Sequence, residues 1–193
     1  DEHIEAFQAD GAVCLRGVFS ASWIDRLREG TEQALSRHGP YASVQSEPGD
    51  PGFFYTEYYL WRRLSAFSHF ALRSGAAQIA SGLLGSAEIR FFYDGLFVKE
   101  PHTSKPSQWH QDQPYYPVDG KLVVIWTPMD PVKADTSLRV VRGSHRWNRW
   151  FRPVLFKGDK PMNRTESRYE PLPDVDAEPQ RYDILSWDVE PGD

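Results

Sequence analysis

The chain has 193 residues, enough for one domain with a sizeable core and too few for two without a clear internal boundary. Its formal charge of −5 gives no general attraction to nucleic acid or to an anionic membrane surface, so neither is expected as a partner. One cysteine, Cys14, excludes an internal disulfide framework or a thiolate metal cluster and fits a reducing compartment, and no apolar run is long enough to cross a bilayer.

Asp1, Glu2 and His3 do not open a secretory signal, so a cytoplasmic location is expected. Ile4 and Phe7 share a helical face that Asp10 and Gly11 close, and residues 12–15 form a short apolar strand candidate in which Cys14 is a small core residue. Ser20 stands where an N-cap belongs, before a helix whose apolar face is Trp23, Ile24, Leu27, Ala34 and Leu35 and which is expected to end at Gly39 and Pro40. Residues 41–55 read as a loop from their Pro, Gly and Ser content. Leu60, Leu64, Phe67 and Ala71 then recur at helical spacing, followed by a helix of small residues ending near Gly85.

From Glu88 the pattern alternates. Ile89, Phe91, Tyr93, Leu96 and Val98 predict a long strand bulged at Asp94 and Gly95, and further strands are expected over 122–126, 138–141 and 182–187. Between the last two, residues 147–180 make a Pro-rich, charged excursion that reads as a lid or covering arm. Helices first and strands after is an α+β order, with helices packed outside a mainly β core. Seven Trp, nine Tyr and eleven Phe suit a fold that lines a cavity with flat, rigid side chains.

The chemistry concentrates between Ser107 and Tyr116. On an extended segment residues i and i+2 point to one side, so His110 and Asp112 converge while Gln111 faces away. One imidazole and one carboxylate on adjacent positions of an ion, joined by a distant second histidine, form the face that non-haem iron(II) oxygenases use, with three positions left open. The same spacing also describes an ordinary hydrogen-bonded pair, and zinc accepts the same groups.

The surrounding residues resemble the phytanoyl-CoA dioxygenase family. The resemblance runs from Phe7 onward through Tyr93-Asp94-Gly95-Leu96-Phe97-Val98-Lys99-Glu100-Pro101, Trp109-His110-Gln111-Asp112-Gln113-Pro114-Tyr115-Tyr116-Pro117, Val124-Ile125-Trp126-Thr127-Pro128-Met129-Asp130 and Leu138-Arg139-Val140-Val141-Arg142-Gly143-Ser144-His145. It implies a double-stranded β-helix, a cupin-like jelly roll, with iron(II) on His110 and Asp112 and with 2-oxoglutarate and dioxygen as co-substrates. It further implies that Trp126 packs against 2-oxoglutarate, and Tyr93 and Lys99 alternate on one expected strand face aimed toward the same site. Asp112 favours hydroxylation, since related halogenases lack that carboxylate.

Two departures stand out. Asp135-Thr136 occupies a turn where the family often has Asn-Gly. The family's second iron histidine, and the arginine that grips the far carboxylate of 2-oxoglutarate, lie beyond a turn like Pro191-Gly192-Asp193, where this sequence stops, so the resemblance implies a domain of 193 residues lacking its last core strands. The missing histidine is expected about ten residues further on.

His145 is a weaker ligand candidate, and His3, His38, His69 and His102 have no ligand context. Tyr115 and Tyr116 follow the pair closely enough to line a pocket for a small-molecule substrate. Arg139, Arg142, Arg146, Arg149 and Arg152, interleaved with aromatics, read as a solvated rim, with attraction of a substrate anion as the secondary reading. Two alternatives to an oxygenase stay open: a non-catalytic jelly-roll binding protein, and a zinc-dependent hydrolase using His110, Asp112 and His145.

Overall fold

In the computed structural model, residues 1–103, 107–154 and 168–193 are described. Four α-helices lie in the first 84 residues, with two strands between the second and third. α1 (Glu2–Asp10) begins on the Asp1 side chain, which accepts from the His3 amide at 3.1 Å, and ends on Gly11 at φ 85°, a left-handed conformation that glycine adopts without strain. α2 (Ala21–Ser36) buries Ile24, Leu27, Gly30 and Ala34 along one stripe. Ser20 holds the N-cap position in extended geometry, but its hydroxyl pairs with Ser22 and makes no capping bond. The helix stops before the predicted Gly39, because Arg37 is already extended.

The single helix expected from Leu60 is divided. Leu60–Arg62 forms a 3-10 turn and α3 spans Ser65–Arg73, yet Leu60, Leu64 and Phe67 all enter the core as their spacing predicts. Gly30 lets α2 and α3 touch, since a Cβ there would lie 2.8 Å from the Ala66 Cβ and 2.9 Å from the Phe67 ring. α4 (Ala76–Leu84) closes on Gly85.

The stretch 41–55 that was expected to be a loop contains the whole first strand of the principal sheet and the first two residues of its second. β1 (Ala42–Val44), β2 (Phe54–Tyr58) and β3 (Gly95–Lys99) pair antiparallel in that order, with Glu57 opposite Ala42 and Leu96, and Thr56 opposite Ser43 and Phe97. The Pro and Gly residues that suggested a loop occupy only the connection between β1 and β2. Phe54, Tyr55, Thr56 and Glu57 are all buried, so β2 shows no polar face, and its polar residues resemble surface. Tyr55, Leu96, Phe19, Ile24, Leu27, Leu60 and Phe67 form the core between this sheet and α2 and α3.

Inside that core sits a charge. The Glu57 carboxylate, 1% exposed, accepts from Arg63 Nε at 2.8 Å, from Arg63 Nη2 at 2.5 Å and from the Tyr55 hydroxyl at 2.6 Å. The Arg63 and Tyr55 hydrogen bonds outweigh the cost of burial and hold the Glu57 carboxyl below its usual range.

The later strands are shorter than predicted. β4 (Val140–Val141) pairs antiparallel with β7 (Ile184–Leu185), and β5 (Trp150–Phe151) pairs parallel with β6 (Tyr169–Glu170). Of the expected 88–98 strand only β3 forms, and residues 12–15 and 122–126 join no ladder among the described residues. Alternation marks a chain ready to pair, but a strand exists only where a neighbour supplies its hydrogen bonds. The described residues form a mixed α/β arrangement of helices and small sheets. Residues 155–167, the middle of the expected arm, lie outside the described residues. Its flanks are packed, with Phe151, Tyr169 and Val175 buried. No described helix is long and apolar enough to cross a membrane.

Candidate metal centre

His110 and Asp112 come together. His110 Nε2 lies 3.2 Å from Asp112 Oδ1, and His110 Nδ1 is 2.7 Å from the Gln108 carbonyl oxygen. With Nδ1 donating to that carbonyl, Nε2 carries the lone pair, the tautomer of a metal-binding imidazole. Two ligand atoms each about 2.1 Å from one ion and at right angles to it stand about 3 Å apart. The observed separation therefore fits a divalent cation, as does the mixed nitrogen and oxygen donor set. The Asp112 carboxylate, helped by the Gln108 carbonyl, outweighs burial and raises the pKa of the His110 imidazole.

The intervening residue has a task of its own. Gln111 Nε2 donates to the Arg149 carbonyl at 3.1 Å, and Gln111 Oε1 accepts from the Phe151 amide at 3.0 Å. The Tyr115 hydroxyl donates to the Val154 carbonyl at 2.7 Å and accepts from the Val154 amide at 3.0 Å. The segment carrying the pair is thus stitched on its far side to the beginning of the 147–180 excursion. Asp112 itself is helical, φ −66° and ψ −44°, and starts the 3-10 turn Gln113–Tyr115.

Around the pair stands a cluster of rings. Tyr115 meets His110 edge-on with centroids 6.0 Å apart, Tyr116 lies 5.3 Å from Tyr93 and 5.6 Å from Phe92, and Tyr58 lies 5.7 Å from Tyr93 and 6.0 Å from Phe97. Tyr93 and Tyr116 share a short hydrogen bond between their hydroxyls. Burial first, then neighbouring charges that include Asp112, push the Tyr58 phenol up to about 12 and raise Tyr93. Tyr58 belongs to β2, of which only Phe54 and Tyr55 fell within the expected 41–55 loop and the rest had no assignment. The aromatic and β-branched run Phe54, Tyr55, Thr56 and Tyr58 was the available signal for it.

The other predicted contacts are less concentrated. Lys99, at the end of β3, donates to Ser107 Oγ at 3.2 Å and lies 4.5 Å above the Phe54 ring, and burial lowers its pKa. Trp126, 38% exposed, sits on the 122–126 segment. His145 is committed elsewhere, with Nε2 3.1 Å from the Gln8 carbonyl oxygen and its ring against Gly11. Among the described residues no three His, Cys, Asp or Glu side chains gather around a common point, so the trio of His110, Asp112 and His145 is not assembled. The arginine rim is largely paired: Arg139 with Asp176, Arg142 with Asp10 and Asp183, and Arg149 with Glu170.

The sequence pattern of the phytanoyl-CoA dioxygenase (PhyH) family matches residues 7–193. No curated protein sequence matches the chain significantly. Among solved structures, the chain resembles the crystal structure of SnoK, a non-heme α-ketoglutarate-dependent carbocyclase from nogalamycin biosynthesis. The TM-score is 0.71 at 18% identity, over 100% of this chain and 71% of that one. At that identity the likeness is one of fold.

Proposed function

The chain belongs to the phytanoyl-CoA dioxygenase family, whose members work with iron(II), 2-oxoglutarate and dioxygen, and from that premise we propose that it is a dioxygenase that hydroxylates a small organic substrate. The likeness to SnoK supports reading its short strands as parts of a double-stranded β-helix with the N-terminal helices outside. One observation carries the assignment of iron to His110 and Asp112: their 3.2 Å approach, with Nδ1 held by the Gln108 carbonyl.

Bound iron(II) with its co-substrates supplies the oxidising chemistry, in which 2-oxoglutarate leaves as succinate and carbon dioxide and one oxygen atom enters a substrate C–H bond. The protein's part is to orient and to exclude water. His110 and Asp112 would hold the iron and would leave room for other ligands. Gln108 fixes the imidazole tautomer, and Gln111 fixes the segment without touching the metal face. Tyr93, Lys99 and Trp126 are assigned to 2-oxoglutarate, Lys99 offering a cation to a carboxylate. Residues 147–180, tied in through Gln111 and Tyr115, serve as the cover.

The test is anaerobic addition of iron(II) and 2-oxoglutarate to the intact protein. A weak visible charge-transfer band is expected, lost in His110→Ala and in Asp112→Ala, together with succinate formation once oxygen is admitted. A protein that binds no iron(II), or whose band survives both substitutions, refutes the assignment.

A further inference from the structure

Six rings, those of Tyr58, Phe92, Tyr93, Phe97, Tyr115 and Tyr116, run in continuous contact from the metal pair to the outer face of β3. They are not a closed core. Phe92 is 39% exposed and Phe97 45%, and at the other end of the run the His110 and Asp112 side chains are 40% and 39% exposed. Large apolar rings left open beside a catalytic pair are a surface that a ligand covers.

The chemistry of that surface is narrow. None of the six carries a charge, the arginines Arg139 and Arg149 have acidic partners in Asp176 at 3.3 Å and Glu170 at 2.5 Å, and the neighbouring cation Lys99 bonds Ser107 and is assigned to 2-oxoglutarate. A polyanionic ligand such as an acyl-coenzyme A would have to break such pairs to be neutralised. Polar capacity comes from phenols. The Tyr115 hydroxyl is spent on Val154 and those of Tyr93 and Tyr116 on each other, whereas the Tyr58 hydroxyl has no hydrogen-bond partner among the described residues. Phenolic side chains have few rotatable bonds, so they lose little entropy on contact and favour flat, rigid partners.

We infer that this aromatic wall selects an uncharged cyclic substrate bearing a ring hydroxyl or carbonyl, with Tyr58 hydrogen-bonding that oxygen and the flanking rings packing on the ring faces. Tyr58 is a specificity residue in this arrangement. The inference deepens the oxygenase reading and depends on it for the location of the reacting centre.

Binding without iron tests it independently of turnover. The intact metal-free protein is titrated with 1-naphthol, naphthalene and decanoyl-coenzyme A, followed by quenching of its aromatic fluorescence. 1-Naphthol is expected to bind at least about tenfold more tightly than decanoyl-coenzyme A. Tyr58→Phe should weaken 1-naphthol about fivefold, the worth of one neutral hydrogen bond, and leave naphthalene unchanged, which a merely structural role for Tyr58 does not predict. Phe97→Ala, at a ring 45% exposed, should weaken both, with circular dichroism checking that the variant is folded. Tighter binding of decanoyl-coenzyme A, or equal losses of the two ring compounds in Tyr58→Phe, overturns the inference. The charge-transfer band on the same preparation separates the failures. Band without selective ring binding refutes this wall alone, and Tyr58-dependent 1-naphthol binding without a band refutes the iron assignment and, with it, the place of this wall beside a reacting centre.

Discussion

The molecule contains two acid–base pairs placed in opposite circumstances. Glu57 and Arg63 meet inside the helical half, where the carboxylate is 1% exposed and receives three donors at 2.5, 2.6 and 2.8 Å. His110 and Asp112 meet on an unpaired segment, with side chains 40% and 39% exposed and a 3.2 Å separation. In the first pair every charge is answered within the fold, and nothing is left to bind. In the second the imidazole is oriented from behind by the Gln108 carbonyl, and the two forward atoms face one another with coordination capacity to spare. A structural pair is recognised by saturation, a binding pair by oriented incompleteness.

Substituting the second pair should therefore have the largest functional effect and little structural effect. His110→Ala or Asp112→Ala should abolish iron(II) binding, a loss beyond the 10–100-fold or so typical of removing a ligand's supporting partner. Thermal unfolding of the metal-free protein should be nearly unchanged, because neither side chain is buried. Metal analysis and circular dichroism on the same samples check both halves of the statement.

The first pair should behave in reverse. Arg63→Ala leaves the Glu57 carboxylate buried with only the Tyr55 hydroxyl and a Gly39 backbone contact, and should cost about 3–5 kcal/mol in denaturant unfolding. Iron binding by the fraction that remains folded should be unaffected. A drop below about 1 kcal/mol, the value of an exposed pair, means that water reaches Glu57 and the contrast is false.

The same contrast explains what was legible in the sequence. α1 and α4 were read closely because Gly11 and Gly85 mark their ends, and Leu60, Leu64 and Phe67 fell on the correct face because apolar spacing reports burial directly. β2 was missed because its polar residues are buried: Thr56 bonds Gln45 and Glu57 bonds Arg63, and such long-range partners leave no local trace. Its loss hid Tyr58 from the site. The His110 and Asp112 pair was visible because the two residues stand two positions apart in one short segment, although Asp112 is already helical and alternation alone does not bring them together. Trp126 entered through family resemblance and Lys99 through alternation along the expected strand, and both are proposed to serve 2-oxoglutarate.

A smaller effect tests whether the incomplete pair is held from behind. Gln111→Ala removes both bonds to the excursion while leaving each ligand in place. Iron(II) affinity should fall about tenfold, the low end for an outer support, with a modest loss of thermal stability. Equal affinity for the variant and the parent would mean that Gln108 alone fixes the geometry.

The smallest expected effect concerns Asp94, at the boundary between the two regions. Its Oδ2 accepts from the Trp61 amide at 2.9 Å while Oδ1 is buried without a partner among the described residues, so this carboxylate is neither saturated nor open. Burial pushes its pKa up to about 6, against the opposing backbone hydrogen bonds, and Glu57 adds to the rise. A folded pKa above the unfolded value of 3.8 means that folding takes up a proton. The group's contribution to stability is therefore complete below the unfolded pKa and is lost as pH rises through about 6. Asp94→Asn keeps an acceptor for the Trp61 amide and removes the titration. The variant should match the parent near pH 4 and exceed it at pH 7 by on the order of 1 kcal/mol, solvent screening having reduced the full shift. Glu57, whose pKa is lowered, works in the opposite sense and weakens the fold as pH falls, so only the difference between variant and parent isolates Asp94. A difference that stays constant across that window places Asp94 with the solvated groups, and the boundary between the two regions then shifts toward Glu57.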